Sequence, residues 1–180
     1  MNDERQKIIY TIGHSTRTQQ HFVEMLQSFS IEVLIDIRSY PGSKRYPHFN
    51  KENLETTLPQ KNIGYVHLKS LGGRRQSGPD SKNIAWKNAS FRGYADYMNT
   101  NEFRNAIQEL EAIAIKQRTA YMCSEAVWWR CHRSLVSDYL KAKGWIVYHI
   151  MEIEKSMEHT YTKPAKIIDG KLSYEEMLLL

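Results

Sequence analysis

Residues 121–133 read YMCSEAVWWRCHR and connect a predicted β-strand to a predicted α-helix. The strand is indicated by the apolar run 120–122. The helix is indicated by apolar residues at positions 135, 136, 139 and 140, followed by Gly144, because this spacing is helical and glycine is common just past a helix end. Open α/β sheets bind their ligands at connections of this kind, beyond the carboxyl ends of the strands. The stretch therefore places two cysteines and several ionisable side chains where a ligand site is expected.

Working outward from this connection, strands alternate regularly with segments of helical periodicity. This order predicts an α/β fold, a three-layer domain with a mainly parallel sheet of about five strands. We expect a single domain over residues 1–180, with a core at about 8–152 and a C-terminal extension at 153–180. Thr18 is expected to cap the first helix, Asn99 a later one, and Ser173 a final apolar helix. The predicted strands are Ile8–Ile12, Val33–Ile37, Ile63–Leu68, Thr119–Cys123 and Trp145–Ile150.

The composition indicates a folded protein with an anionic partner. The chain has 180 residues, of which 41% are hydrophobic, and a net charge of +5. A basic chain favours a nucleotide, a nucleic acid or a phosphorylated metabolite. Only two cysteines occur and no signal peptide precedes the first apolar run, so we expect a cytoplasmic location and no membrane span. The cofactor and the oligomeric state are left open.

Polar or glycine-rich residues follow four of the five predicted strands. Parallel strands connected by right-handed crossovers bring their carboxyl ends to one edge of the sheet. We therefore expect His14, Arg38, Glu125 and Arg133 to converge around one concave site, with Cys123 close enough to share it. The four strand-end signatures are His14-Ser15, Arg38-Ser39, Gly72-Gly73-Arg74 and Cys123-Ser124-Glu125.

The same signatures resemble the domain of unknown function 488 family. The resemblance extends over about residues 8–152 and implies an α/β fold, but it carries over no established reaction. One departure is Val127-Trp128-Trp129, where more polar, acidic or proline-containing sequence would be expected. The matching pieces are Thr11-Ile12-Gly13-His14-Ser15, Asp36-Ile37-Arg38 with Pro41, Leu71-Gly72-Gly73-Arg74, Cys123-Ser124-Glu125 and Cys131-His132-Arg133.

These residues suggest a division of labour in an enzyme-like site. Arg38, Arg74 and Arg133 would hold anionic groups, because guanidinium groups form forked hydrogen bonds with them. Cys131 and His132 are expected to open a helix, whose unpaired N–H groups also favour an anion. His14 and Glu125 would transfer protons. Cys123 is the candidate nucleophile if the chemistry is covalent.

Each assignment has a structural alternative. Cys123 could be a buried thiol that only packs, and Glu125 could simply neutralise a nearby arginine. Asp36, if buried, must be paired, so an ion pair is as plausible there as a functional role. A zinc site is disfavoured, because the spacing is not that of paired C-x-x-C units and the adjacent Cys131 and His132 would point in different directions. We therefore predict no metal ligands.

The polar segment Gly72–Gly93 is longer than an ordinary connection and carries five basic residues against one acid. It could be a solvated loop or a basic lid that orders over an anion. The rivals to an enzyme-like domain are a non-catalytic nucleic-acid-binding module, which would use this loop and exposed aromatic residues, and a cysteine-based redox or metal sensor.

Overall fold

The computed structural model describes residues 6–176, and its centre is a six-stranded sheet in the order β3-β2-β4-β1-β5-β6. The five strands that the sequence predicts pair in parallel, which confirms the mainly parallel α/β fold. A sixth strand, β6, was not predicted and runs antiparallel to β5. The strands are β1 (Ile8–Gly13), β2 (Val33–Asp36), β3 (Gly64–His67), β4 (Thr119–Cys123), β5 (Ile146–Glu152) and β6 (Lys155–Glu158).

Helices cover both faces of the sheet, because side chains along each strand alternate between the faces. On one face, α1 and α2 pack Phe22 and Leu54 onto strand residues such as Leu34. On the other, α3, α4 and α5 pack onto residues such as Ile35. These three layers are the ones predicted. The helices are α1 (Gln19–Ser28), α2 (Lys51–Thr57), α3 (Ala89–Tyr97), α4 (Asn101–Lys116) and α5 (Arg133–Ala142).

Two of the predicted caps are wrong and one is confirmed. Thr18 accepts a hydrogen bond from the N–H of His21, as predicted. The cap of α4 is Thr100 rather than Asn99, since the Thr100 hydroxyl accepts the N–H of Phe103. Within residues 6–176, Ser173 caps no helix.

Ser173 instead ends a strand of a C-terminal hairpin, β7 (Lys166–Ile168) and β8 (Lys171–Ser173). Asp169 and Gly170 both have positive φ and form the tight turn that joins the two strands. Tyr174, directly after β8, is buried in the core, so the hairpin is anchored to the domain. The rest of the predicted final helix, residues 177–180, lies outside the described residues.

The connections that follow β1 and β4 pass to opposite faces of the sheet, because α1 and α5 belong to different layers. β1 and β4 are neighbours, so a crevice opens between their carboxyl ends, as at the ligand-binding switch points of other open α/β sheets. Over residues 6–176, none of the helices has the length and apolar character needed to cross a membrane.

Candidate functional site

A cleft of about 460 Å³ lies at the carboxyl edge of the sheet. It brings together six of the residues that the sequence singled out, from four separate strand ends. Cys131 and Arg133 do not border it. The predicted residues that border the cleft are His14, Arg38, Arg74, Cys123, Glu125 and His132, and they share its walls with Ser15, Thr16, Ser39, Tyr40, Gly42, Ser43, Tyr46, Gly73 and Ser124.

Arg38 is held at the base of the cleft by a buried ion pair with Asp36. Its Nε lies 2.9 Å from Asp36 Oδ1, one terminal nitrogen lies 2.6 Å from Oδ2, and the same nitrogen donates to the carbonyl of Phe49. The Tyr65 hydroxyl also donates to Asp36 at 2.7 Å. Burial opposes the charge of Arg38, but the bonds with Asp36 outweigh it and raise the pKa of Arg38. Most hydrogen-bond donors of the Arg38 side chain are therefore used within the protein rather than on a ligand.

His14 is a neutral, fixed imidazole beside Arg38. Nδ1 lies 2.9 Å from the Ser15 carbonyl, which places the proton on Nδ1, and Nε2 accepts from Arg38 at 3.3 Å. Its ring stacks on Phe49 with centroids 4.3 Å apart. Burial lowers the pKa of His14 to about 4, with the charge of Arg38 acting in the same direction. At neutral pH, His14 thus accepts a hydrogen bond rather than carrying a charge.

Arg133 lies behind the cleft instead of facing a ligand. Its side chain is 1% exposed, and its guanidinium donates to Thr11 Oγ1 at 2.9 Å and to the Glu125 carbonyl at 2.5 Å. The expectation that Arg133 and the other residues converge on one concave surface is therefore wrong for Arg133, because buried carbonyl and hydroxyl oxygens accept from its two terminal nitrogens. Its contacts fix the backbone that presents Glu125.

Glu125 is exposed and borders the cleft. Within the described part of the chain its carboxylate forms no ion pair, so it does not neutralise Arg38, Arg130 or Arg133. An unpaired carboxylate at a cleft wall can accept a hydrogen bond from a ligand hydroxyl or remove its proton.

Cys123, Cys131 and His132 form a compact cluster beside the cleft, in which Cys123 and His132 border the cleft. Their ligand atoms all lie within 4.8 Å of one another. His132 Nδ1 is 3.9 Å from the sulfur of Cys123 and 3.6 Å from the sulfur of Cys131. The expectation that Cys131 and His132 point apart is wrong, because Cys131 is extended and His132 already has helical dihedrals. That change of backbone conformation turns both side chains toward Cys123.

The two thiols differ in acidity. A hydrogen bond with Cys131, together with burial, raises the pKa of Cys123 to about 12. Burial alone would raise the pKa of Cys131, but the bond from Cys123 and the charge and N–H groups of Arg133 lower it to about 6. A thiol with a high pKa is a weak nucleophile. Cys123, the residue predicted to act as one, is thus the protonated partner of the pair.

The long polar segment contributes only Gly73 and Arg74 to the cleft. The rest packs beside α3, with Trp86 buried and Arg75 lying 3.6 Å from the centre of the Tyr97 ring. Helix α3 begins at Ala89, inside the predicted loop. That the segment becomes ordered when a ligand binds stays a prediction.

A buried chain of hydrogen bonds connects Arg133 to the C-terminal extension, and sequence reasoning missed it. Thr11 contacts His149 Nδ1 at 3.0 Å, His149 Nε2 contacts His159 Nδ1 at 2.9 Å, and His159 Nε2 contacts Asp138 at 2.9 Å. Trp128 stacks on His149 with centroids 4.2 Å apart. Burial, with the neighbouring His159 and Arg133, lowers the pKa of His149 to about 2. The four residues come from β1, α5, β5 and the position after β6, so no local pattern marks the chain of hydrogen bonds.

Lowering the pH from 7.5 to 5 should reduce the free energy of unfolding by about 2 kcal/mol through His149 alone. Its pKa is lower in the folded protein than in the unfolded chain, so the unfolded chain binds the proton first as the pH falls. The contribution of His149 to the free energy of unfolding is complete above about pH 6.5 and is lost progressively below it.

Urea unfolding of the wild type and of His149→Gln at several pH values measures this loss of stability, and the variant should have a flatter pH dependence. An equally steep dependence in the variant would contradict the assignment. The exposed His21, as His21→Gln, is the control.

The comparison with protein families adds one finding. The model of the family described as Domain of unknown function DUF488 matches residues 18–140, more than half of the chain. The chain belongs to the DUF488 family. The DUF488 match is shorter than the span of about 8–152 expected from the motifs, and it includes every predicted site residue except His14. Comparison with the curated proteins and with the solved structures gave no match.

Proposed function

We propose that this DUF488 domain binds a nucleotide or a nucleic-acid-derived ligand in the cleft and acts on it as an enzyme. The observation that carries the proposal is Tyr40, which is 66% exposed on the cleft wall. The Arg74 guanidinium lies 5.4 Å from the centre of the Tyr40 ring, and the Lys69 ammonium lies 5.9 Å from it. An exposed aromatic ring flanked by cations can stack on a base while the cations contact the attached phosphates.

The distribution of charge in the cleft supports a ligand with an anionic part and a neutral polar part. Among the described residues, Arg74 has no ion pair, whereas Arg38 is neutralised by Asp36. Arg74 is therefore the cation available to a phosphate. Glu125 would repel a phosphate close to it, but a carboxylate accepts hydrogen bonds from hydroxyl groups. A nucleotide offers both parts, and a cleft of about 460 Å³ is of the size that binds small molecules.

The proposed chemistry is proton transfer by Glu125. An exposed carboxylate can act as a general base toward a bound hydroxyl or water. His14 Nε2 would accept a hydrogen bond from the ligand in addition to the one that it accepts from the Arg38 guanidinium. We do not assign covalent catalysis to Cys123, since the pKa of its thiol is raised to about 12.

The contacts of the basic residues in segment 72–93 support a ligand site in the cleft rather than a non-catalytic nucleic-acid-binding surface. Three of its cations are engaged by the protein itself. Arg75 lies over Tyr97, Arg92 donates to the Trp86 carbonyl, and Lys87 pairs with Glu176. A non-catalytic module would need such charges free to contact phosphates.

Nucleotide binding tests the proposal. Isothermal titration of nucleoside mono-, di- and triphosphates and short oligonucleotides should find at least one ligand, whose affinity falls about 10-fold or more in both Tyr40→Ala and Arg74→Gln, since each contact contributes about 1–3 kcal/mol. Glu125→Gln should retain binding of that ligand and lose turnover of it. Lys116→Gln, at the opposite edge of the sheet, is the charge control and should bind like the wild type. Normal binding of every ligand by both Tyr40→Ala and Arg74→Gln would overturn this assignment.

A further inference from the structure

We infer that Cys123, Cys131 and His132 form a binding site for one zinc-type transition-metal ion, whose fourth coordination position faces the cleft. This inference concerns the metal alone and does not depend on the nucleotide proposed above. Two thiols and one imidazole are ligands that select zinc over magnesium or calcium, because sulfur and aromatic nitrogen are soft donors. Three protein ligands with one open position are the pattern of catalytic zinc sites, including sites with two cysteines and one histidine.

The separations between the donor atoms fit one tetrahedral ion. Ordinary Zn–S and Zn–N bonds of about 2.3 and 2.0 Å place a sulfur and a nitrogen roughly 3.5 Å apart around a tetrahedral ion. The structure has 3.6 Å between Cys131 Sγ and His132 Nδ1, and 3.9 Å between Cys123 Sγ and the same nitrogen. All three donors lie within 4.8 Å of one another. Two sulfurs bound to one tetrahedral ion lie about 3.8 Å apart, so a movement of at most about 1 Å between the two sulfurs completes the geometry.

The imidazole is oriented as a metal ligand requires. His132 Nε2 lies 3.2 Å from the Ile37 carbonyl, so its proton is on Nε2 and the lone pair of Nδ1 points to the two sulfurs. Histidine ligands usually donate their second N–H to a carbonyl or carboxylate in this way. Gly73 leaves room beside that ring, since a Cβ there would lie 2.9 Å from Nδ1. The tautomer and the space are both set before an ion binds.

The surroundings also suit the charge of a thiolate. The backbone N–H of Arg133 lies 3.5 Å from Cys131 Sγ, and its buried guanidinium adds a positive charge nearby. Backbone N–H groups that donate to a thiolate stabilise its negative charge.

The open coordination position of the ion faces the cleft, because two of the three ligands border the cleft. Cys123 and His132 belong to its wall, whereas Cys131 lies behind them and is 3% exposed. An ion held by all three therefore has its free side toward the cleft, where Glu125 is also exposed. A metal-bound water there would have its pKa lowered by the ion.

Cobalt substitution tests the site, because Co²⁺ reports both its ligands and its geometry. Co²⁺ titrated into the reduced, chelator-treated full chain should bind one equivalent. We expect a thiolate-to-cobalt charge-transfer band in the near ultraviolet and intense visible bands of a tetrahedral ion. The chain has only two cysteines, so the band can arise only from Cys123 and Cys131. Zn²⁺ should displace the cobalt and protect both thiols from alkylation.

Variants distinguish this site from adventitious binding. Cys123→Ser, Cys131→Ser and His132→Gln should each weaken Co²⁺ binding by about 100-fold or more, because even an outer-shell partner contributes about 10–100-fold. His21→Gln, which removes an exposed histidine paired with Glu152, should bind like the wild type. Circular dichroism checks that the variants fold, and the wild-type spectrum decides the question if they do not. Cobalt bound without a thiolate band, or thiols that remain reactive or form a disulfide in stoichiometric Zn²⁺, would overturn the inference.

Discussion

Replacing Asp36 by asparagine is expected to lower the free energy of unfolding by about 3–5 kcal/mol. The carboxylate is fully buried and accepts from Arg38 and Tyr65, while Arg38 is only 6% exposed. Asparagine keeps the shape but removes the negative charge, so the guanidinium remains buried without a counter-charge. Urea unfolding at pH 7.5 measures the loss, and Asp80→Asn, at an exposed aspartate, is the matched control.

A double variant separates the ion pair from a general effect of the site. Arg38→Met removes the other charge, so Asp36→Asn combined with Arg38→Met leaves neither charge unpaired. The double variant should be more stable than the sum of the two single effects predicts, by about 1–3 kcal/mol, as for other directly contacting pairs. Strict additivity would show that Asp36 and Arg38 act independently, which the distances between them contradict.

The parallel sheet and the position of the cleft could be predicted because they depend on local patterns and on a general rule. The apolar runs around Ile35 and Tyr121 indicate strands covered on both sides, and right-handed crossovers bring the ends of such strands together. His14, Arg38 and Glu125 could thus be placed at one edge without knowledge of side-chain positions.

The roles of the arginines could not be predicted, because they depend on which oxygen atoms the fold brings near each side chain. Arg133 follows the motif cysteine and histidine in sequence, yet its guanidinium turns back to Thr11 and the Glu125 carbonyl. Arg38 is likewise engaged by Asp36, two residues away. Arg74, by contrast, extends over Tyr40. Sequence identifies three candidate anion ligands here, and only three-dimensional contacts show which of them is free.

The cluster of Cys123, Cys131 and His132 could not be predicted from the sequence, for a related reason. Metal-site patterns assume regular backbone, in which adjacent side chains diverge. Here the chain passes from extended at Cys131 to helical at His132, and the two side chains converge instead. The irregular backbone between a strand and a helix allows such a cluster, and it is also where open α/β sheets place their ligand sites.

Replacing Gly13 by alanine is expected to lower the free energy of unfolding by about 3 kcal/mol or more, at or above the upper end of overpacking effects. Gly13 ends β1, where a Cβ would lie 1.8 Å from the Glu125 carbonyl oxygen and 2.6 Å from its carbon. These are backbone atoms, so no rotamer change relieves the clash. The connection that carries Glu125 must move away from β1, which breaks its bond with Arg133 and disturbs the hydrogen bonds of His14 and Ser15 to Cys123 and Ser124.

The effect of Gly13→Ala should extend from stability to the cleft, because the displaced segment joins Cys123 to Glu125. Denaturant unfolding measures the first effect, and the affinity for any nucleotide that the wild type binds measures the second. Gly78→Ala is the matched control, since a Cβ there meets no atom within 4 Å. It should leave both properties near those of the wild type, with at most a gain of about 1 kcal/mol from the stiffer unfolded chain. A Gly13→Ala protein as stable as Gly78→Ala would mean that the Glu125 carbonyl does not close against β1, and that Arg133 does not hold the connection in the position from which Glu125 faces the cleft.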